Sequence, residues 1–297
     1  MTRLQADCLL LITAIIWGTA FVAQKTGMNG LGALGFVGVR FSLSLAVIMP
    51  FVLMERSKAP ALPSGWWKGC VALSIFFIGG VVLQQIGISH TSVTNAGFLT
   101  GMGVVFVPFI AWVLFRRRPS WTVIPTCLIA VMGLWFLNGG SLARIGWGDG
   151  LVLMCSVFFA AQVALMGFLL GRIKRPLLFS AIQYAACALA GLSLALHYEG
   201  ITWQALLDNI GPLFYAGAVS GGIAYTLQAV AQQHTPPADA AIIMSGEALF
   251  AALAGAFILG DRLGVMGWLG CALILLAMLL VEAGSLYTAR RKVSETK

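Results

Sequence analysis

One carboxylate, Glu247, stands near the middle of a long apolar stretch, with about 14 Å of helix on either side at 1.5 Å per residue. Ionisable groups are costly inside hydrocarbon, so each one found there is a candidate for function. At this depth a carboxyl could bind the amine of a substrate or carry a coupling proton, or it could be a structural acid bonded to a neighbouring helix. Lys25 and Arg40 lie near the ends of their apolar stretches, where long side chains can reach water, and are expected at the interface. Helical spacing puts Trp17, Phe21 and Gln24 on one face and Phe159, Gln162 and Met166 on another. Asn95, Phe98 and Met102 form a third set, and Tyr225, Gln228 and Gln232 a fourth. Gln84 and Met244 complete the candidate pathway. A glutamine deep in a membrane needs a hydrogen-bond partner, which helix packing or a cavity could supply. Taken together these residues predict an uncharged, partly aromatic pathway. It suits small zwitterions with apolar or aromatic side chains better than phosphorylated solutes, which call for fixed basic groups.

Other chemistries find little support. His90, His197 and His234 fall at the ends of apolar stretches or between them, away from any catalytic or metal-binding constellation. The six cysteines, Cys8, Cys70, Cys127, Cys155, Cys187 and Cys271, lie within apolar stretches without C-x-x-C pairing and read as small packing residues. Nothing resembles a Walker loop, so no ATPase domain is expected and the energy for transport would come from gradients or a partner. A membrane-embedded enzyme would need paired carboxylates or a Ser/His arrangement at one depth, and one glutamate does not supply it. No cofactor and no metal are expected.

The elements that must position these residues are set by composition. Of 297 residues, 60% are hydrophobic and 9% charged, where a soluble domain carries about a quarter charged, and the mean hydropathy is +0.94. Apolar stretches long enough to cross about 30 Å of hydrocarbon recur ten times, near 8–27, 33–54, 67–88, 94–115, 121–138, 149–171, 177–196, 211–233, 238–259 and 264–286. The alternating strands of a membrane barrel are missing, so the expectation is an all-α polytopic membrane protein in which each helix satisfies its own backbone. The first stretch could be mistaken for a signal peptide, but it is long and has a counterpart after Asp149.

That counterpart is part of an internal duplication. His-Thr-Ser-Val-Thr-Asn-Ala-Gly from His90 is echoed by His-Thr-Pro-Pro-Ala-Asp-Ala-Ala from His234, an offset of 144 positions. Asp-Cys-Leu-Leu-Leu from Asp7 is echoed by Asp-Gly-Leu-Val-Leu from Asp149, an offset of 142. Five helices per copy is an odd number, so the second copy enters the membrane from the opposite side. The expected domains are residues 1–142 and 143–297, two inverted five-helix repeats, with a substrate site between them and alternating access by exchange of their packing. Trp17 and Phe159 correspond at the offset of 142 and would face each other across the pseudo-two-fold. Gly97 with Gly101, and Gly217 with Gly221, are small residues at spacing four that let helices approach closely, and Pro50 and Pro108 permit kinks.

The formal charge of +8 could suggest nucleic acid, but its distribution argues otherwise. With the N-terminus inside, 14 of the 18 Lys and Arg residues fall on the cytoplasmic side, among them Arg3, Arg56, Lys58, Lys68, Arg116, Arg117, Arg118, Arg172, Lys174, Arg175, Arg290, Arg291, Lys292 and Lys297. Lys25, Arg40, Arg144 and Arg262 fall on the other. The asymmetry orients the chain with both termini in the cytoplasm, and the Arg116 to Arg118 cluster sits against anionic headgroups. The partners are then the lipid bilayer and a small solute, not nucleic acid.

Ser-Gly-Glu-Ala-Leu-Phe-Ala-Ala-Leu-Ala-Gly-Ala-Phe-Ile-Leu-Gly-Asp-Arg-Leu from Ser245, followed by the apolar run from Gly267, resembles the end of an EamA repeat of the drug/metabolite transporter superfamily. Trp17-Gly18, Arg40-Phe41 and the approach His-Thr-Ser-Val-Thr-Asn-Ala are similar to that family's first repeat, so the resemblance covers essentially the whole chain. Two departures stand out: Phe115-Arg-Arg-Arg-Pro119 replaces the usual Leu-Gly-Glu, and Ala248 stands where a proline often follows the glutamate. The resemblance implies ten helices, inverted repeats and transport of metabolites, commonly export of amino acids from bacterial cells across the inner membrane. The pathway residues favour aromatic or apolar amino acids. The alternatives are a nucleotide-sugar or organophosphate exchanger, disfavoured by the missing basic pair at membrane depth, and a passive channel.

Overall fold

The computed structural model of the chain describes residues 1–58, 62–116, 123–137, 146–259 and 264–295. Arg117, Arg118, Arg144, Arg262 and Lys297 lie outside these residues, as does the expected boundary between repeats at residues 142 and 143. The described chain is all-α. Eight helices are long and apolar enough to cross a membrane: span 1 (Arg3–Thr26), span 2 (Ala33–Glu55), span 3 (Trp66–Ser89), span 4 (Val93–Phe115), span 6 (Trp147–Leu170), span 7 (Pro176–Tyr198), span 8 (Ile210–Ala231) and span 9 (Pro237–Ile258). Two shorter apolar helices, span 5 (Val123–Leu137) and span 10 (Val265–Val281), complete the ten. Each of the ten expected stretches falls on helix over its described residues, apart from a terminal residue or a local turn. A short helix, Trp203–Asp208, links spans 7 and 8.

Packing joins the two halves more than it joins neighbours within a half. Span 2 lies against span 7, span 3 against span 6 as span 8 lies against span 1, and span 5 against span 10. Span 1 packs on span 9 as span 6 packs on span 4, and span 2 meets span 8 as span 7 meets span 3. Exchanging the halves maps this set of pairs onto itself, as two copies related by a pseudo-two-fold require. The outer surface carries exposed Phe109, Leu114, Leu128, Leu189 and Leu279, apolar area that suits lipid and not water. Where backbones approach, side chains are absent: a Cβ on Gly38 would lie 2.5 Å from the backbone of Leu192, and one on Gly191 2.6 Å from the nitrogen of Gly38.

Two carboxylates bind the halves to each other. Glu55, at the end of span 2, accepts hydrogen bonds from the amides of Leu177 (3.1 Å) and Leu178 (3.0 Å) at the start of span 7. Glu199, just after span 7, accepts from Leu34 (3.1 Å) and Gly35 (2.8 Å) at the start of span 2. The glutamates are 144 positions apart, the same offset as the histidine motifs. Each satisfies orphan amides of a helix in the other half and complements its positive end.

The echoed motifs also meet. Near the N-terminal end of span 1, Asp7 accepts from the Thr235 hydroxyl at 2.6 Å and from Arg3 at 3.3 Å, while Arg3 pairs with Asp239 at 2.5 Å. At the start of span 6, Asp149 accepts a short hydrogen bond from the Thr91 hydroxyl and one from the Asn95 amide at 3.4 Å. Thr91 and Thr235 occupy the same place in the two histidine motifs, and Asp7 and Asp149 the same place in the aspartate motif. Because the repeats are inverted, these equivalent ties sit at opposite membrane faces. Lys25, at the second of these faces, donates to the carbonyls of Ile88, Ser89 and Thr91 and so caps the end of span 3, as an interfacial lysine should.

The helices bordering the middle of the bundle are irregular. Span 4 tightens after Gly101, with the Met102 amide reaching back to Leu99, and span 9 tightens at the equivalent place, with the Gly246 amide reaching back to Ile243. Span 8 widens into a π-helix over Tyr215–Ala224. There Gly217 and Gly221 leave room for span 2, and a Cβ on Gly221 would collide with the Ser44 hydroxyl. The displaced carbonyls are recovered by side chains: Ser44 donates to Gly217, Trp17 to Ser220 and Thr13 to Ala224. Such repair is what allows a non-ideal helix to persist at membrane depth. Pro50 and Pro108 lie inside helices, as anticipated.

The reciprocal caps predict that Glu55→Ala and Glu199→Ala each lower the thermal unfolding midpoint in detergent, by about 1 kcal/mol in stability. The half-buried Glu55 should matter more than the exposed Glu199, where water competes for the same amides. Unchanged midpoints in both variants would show that the caps do not hold the halves together.

Candidate functional site

Spans 1, 2, 3, 4, 6, 8 and 9 surround one central cavity with about 650 Å³ of space not filled by protein atoms, part of it open to the outside. Three equivalent pairs of spans, 1 with 6, 3 with 8 and 4 with 9, form most of its wall, and span 2 enters without span 7. Span 1 contributes Trp17, Phe21 and Gln24, span 6 contributes Phe159 and Gln162, and span 3 contributes Gln84. Span 8 brings Tyr225 and Gln228, and span 9 brings Met244 and Glu247. The helical spacing that grouped these residues places them on a common interior surface. The aromatic wall is continuous on one side, where the Trp17 and Tyr225 rings lie 4.5 Å apart.

Five other candidates, Gln232 among them, stand elsewhere. Asn95 is at the membrane face, bonded to Asp149. Phe98 is buried in the apolar core, and Met102 is half-buried against it. Met166 packs with Cys70, Leu73, Leu169 and Phe179. Periodicity identifies a face of a helix but not how far along that face the cavity extends, and these residues lie beyond its ends or turned from it. Of the cysteines, Cys8 is exposed and the other five are buried.

Hydrogen bonds occupy some of the polar wall and leave the rest free. Gln84 donates to Thr100 at 3.2 Å, and Gln162 donates to Gln183 at 3.0 Å. Gln232, outside the cavity, donates to the Val163 carbonyl at 3.4 Å. By contrast, the Gln228 side-chain amide nitrogen has no partner among the described residues. Glu247 begins the second part of span 9, immediately after the tightened turn, and is 7% exposed. Among the described residues no hydrogen bond or ion pair reaches its carboxylate. Gly18 permits this arrangement, because a Cβ there would lie 2.6 Å from the Glu247 carbonyl and 2.7 Å from the Ala251 amide.

The structure corrects the expectation for Arg40. Its side chain does not reach the interface: it is 1% exposed, borders the cavity and donates to Gln24 at 2.7 Å and to Gln85 at 3.2 Å. Its guanidinium carbon lies 4.7 Å above the Phe41 ring. Two amide oxygens and an aromatic face turned inward offer a better environment than an outward route through packed helices. The wall therefore carries a buried cation as well as a carboxylate and is not uncharged. Arg40 is seven residues, about 10 Å, from the start of its helix, and Gln24 and Gln85, near the ends of spans 1 and 3 at the same membrane face, were the available sign of a buried partner. Thr100, Ser220 and Ser245 also line the cavity and escaped notice, since a hydroxyl on a helix commonly bonds its own backbone and leaves no pattern.

Comparison with known proteins agrees with this architecture. The EamA-like transporter family matches the chain twice, over residues 4–139 and 146–283. An uncharacterized transporter of Archaeoglobus fulgidus is 30% identical over 94% of this chain and 86% of its own length. The S-adenosylmethionine/S-adenosylhomocysteine transporter of Chlamydia trachomatis serovar L2 is 26% identical over 73% of this chain and 69% of its own. The uncharacterized inner membrane transporter YedA of Escherichia coli K12 is 24% identical over 91% and 88%. A solved crystal structure, 14% identical, superposes with a TM-score of 0.77 over 97% of this chain and 98% of the other, which concerns the fold alone. With ten spans, two matched repeats and between them a largely apolar cavity set with a few polar and charged residues, the chain belongs to the EamA-like transporter family and is a multi-pass membrane transporter of small solutes.

Proposed function

We propose that this protein exports amino acids, aromatic and apolar ones preferred, across the inner membrane of a bacterial cell, by alternating access between its two repeats. It acts as a carrier and not as an enzyme. The observation that carries this reading is the unpaired Glu247 carboxylate in a cavity walled by Trp17, Phe21, Phe159 and Tyr225. Carboxylate and aromatic faces suit an ammonium group with an apolar or aromatic side chain. A lone buried guanidinium already shared with Gln24 and Gln85 is a weaker match for phosphorylated solutes, which favour clusters of basic groups.

A second reading has a specific motive. The Chlamydia relative is named for S-adenosylmethionine and S-adenosylhomocysteine, amino acids that carry an adenosyl group. The same aromatic wall could stack an adenine. Proteoliposomes loaded in turn with labelled phenylalanine, leucine, S-adenosylmethionine, a nucleotide sugar and a phosphorylated sugar separate these classes. Saturable flux of the amino acids alone is expected, with Glu247→Gln slowing it on the order of tenfold. Flux of the phosphorylated solutes instead would overturn the amino-acid reading in favour of a nucleotide-sugar or organophosphate exchanger, and flux that never saturates would overturn the carrier reading in favour of a channel.

Alternating access is supported by the equivalent ties at the two faces. Asp7 with Thr235 closes spans 1 and 9 at one end, and Asp149 with Thr91 closes spans 6 and 4 at the other. A transporter that opens one end at a time must release one tie while holding the other. Asp7→Asn and Asp149→Asn should thus bias the protein in opposite directions. A cysteine replacing Phe21 in the cavity should gain reactivity toward a membrane-impermeant thiol reagent from one face in the first variant and from the other face in the second. Equal changes from both faces would contradict the proposal.

The orientation proposed here keeps both termini in the cytoplasm, in line with the excess of Lys and Arg on that side. Single cysteines replacing Ala143 and Tyr287 should label from opposite sides of the membrane, the second only from the cytoplasm. Labelling of both from one face would break the inverted arrangement itself.

A further inference from the structure

The geometry points to a two-ended substrate site in which Arg40 takes the carboxylate of a free amino acid and Glu247 takes its ammonium group. This assignment rests on the amino-acid reading above and adds which atoms select the substrate. Both residues border the same cavity, and both are almost fully buried, Arg40 at 1% exposure and Glu247 at 7%. Neither is neutralised by an opposite charge: the ion pairs among the described residues are Arg3 with Asp7 and Arg3 with Asp239, at a membrane face. Arg40 holds only neutral oxygens, of Gln24 and Gln85, through one of its terminal nitrogens, and its Nε has no partner among the described residues. A buried cation and a buried anion, each lacking a counter-ion in one enclosed space, are costly unless a ligand supplies both.

Arg40 lies seven residues into span 2 from Ala33, about 10 Å from that membrane face, and Glu247 lies eleven residues from Ile258 at the same face, about 17 Å. Both residues thus stand well inside the membrane on the wall of one cavity, Arg40 nearer that face and Glu247 deeper. Tyr225 stands within electrostatic reach of both groups, and its ring continues into Trp17, so a side chain leaving the α-carbon meets the aromatic wall. Gln228 lines the same space, and its side-chain amide nitrogen has no partner among the described residues. The pseudo-two-fold generates no second copy of this charge pair. At the offset of 144, Arg40 corresponds to Tyr184 and Glu247 to Gly103. The pseudo-two-fold thus encloses one asymmetric site, able to hold one zwitterion in one orientation.

Counterflow of labelled phenylalanine in proteoliposomes, competed by phenylalanine, phenylalaninamide or 3-phenylpropionate, tests the assignment. In the native protein, phenylalanine should compete at least about tenfold better than either analogue, because each leaves one buried charge unanswered. In Arg40→Gln the advantage over the amide should vanish while the advantage over 3-phenylpropionate remains. In Glu247→Gln the pattern should reverse. Arg40→Lys, which keeps the charge, should retain discrimination against the amide and serves as the deciding variant if Arg40→Gln does not elute as a folded protein. Equal competition by phenylalaninamide and phenylalanine in the native protein, or intact discrimination in Arg40→Gln, overturns the assignment while leaving amino-acid transport standing. Absence of any amino-acid flux in the native protein removes the parent reading and this one with it.

Discussion

Hydrocarbon offers no hydrogen-bond partners, and that constraint shapes every polar group in this protein. Within straight helices the backbone answers it internally. Where helices depart from regularity, the answer comes from side chains: Ser44, Trp17 and Thr13 each donate to a carbonyl in or at the end of the π-helical part of span 8. Where helices begin, carboxylates from the other half do the same work, Glu55 for span 7 and Glu199 for span 2. Against this background of satisfied groups, the unanswered ones stand out. Ser74, Ser180 and Gln232 carry such atoms away from the central cavity, but the two buried charged residues without a counter-ion, Arg40 and Glu247, both line it, as does Gln228. Their location is the reason to read that cavity as a place for a solute.

The duplication supplies the frame, and the departures from it supply the chemistry. Reciprocal caps, matched tightened turns in spans 4 and 9, and the two aspartate–threonine ties all follow the internal symmetry. Symmetry of that kind favours two conformations of similar energy, since each half can adopt the packing of the other. Yet a symmetric cavity would present the same groups twice. Here span 2 reaches the cavity and span 7 does not, span 8 widens and span 3 stays regular, and Glu247 corresponds to a glycine. The membrane faces differ as well, because the Arg3 to Asp239 ion pair at one end is matched at the other by an Asn95 amide. A salt bridge and an amide contact are unequal in strength, so the two ends are not held together equally.

Much of this was legible in the residues. Hydropathy alone marks ten helices, because a span must be apolar along its length whatever it packs against. The echoes at offsets of 142 and 144 carry the two-fold, since equivalent places in two copies meet equivalent neighbours. The depth of Glu247 follows from counting residues along one helix. The aromatic and glutamine faces of spans 1, 6 and 8 were visible in helical spacing, and ten of the fifteen candidates singled out in the sequence border the cavity.

Other features belonged to the tertiary structure. Whether Arg40 turned outward or inward depended on Gln24, Gln85 and Phe41 arriving from three helices, and a long flexible side chain follows its partners and not its own position in a sequence. Asn95, Phe98, Met102 and Met166 satisfy the same periodicity as the cavity residues, but the cavity occupies a limited length of each helix and ends before it reaches them. Sequence determined which segments cross the membrane and how the copies correspond, because those are properties of one helix or of a repeat. Packing between distant segments decided which groups share one enclosed space, because burial, partner and direction exist only once the helices have met.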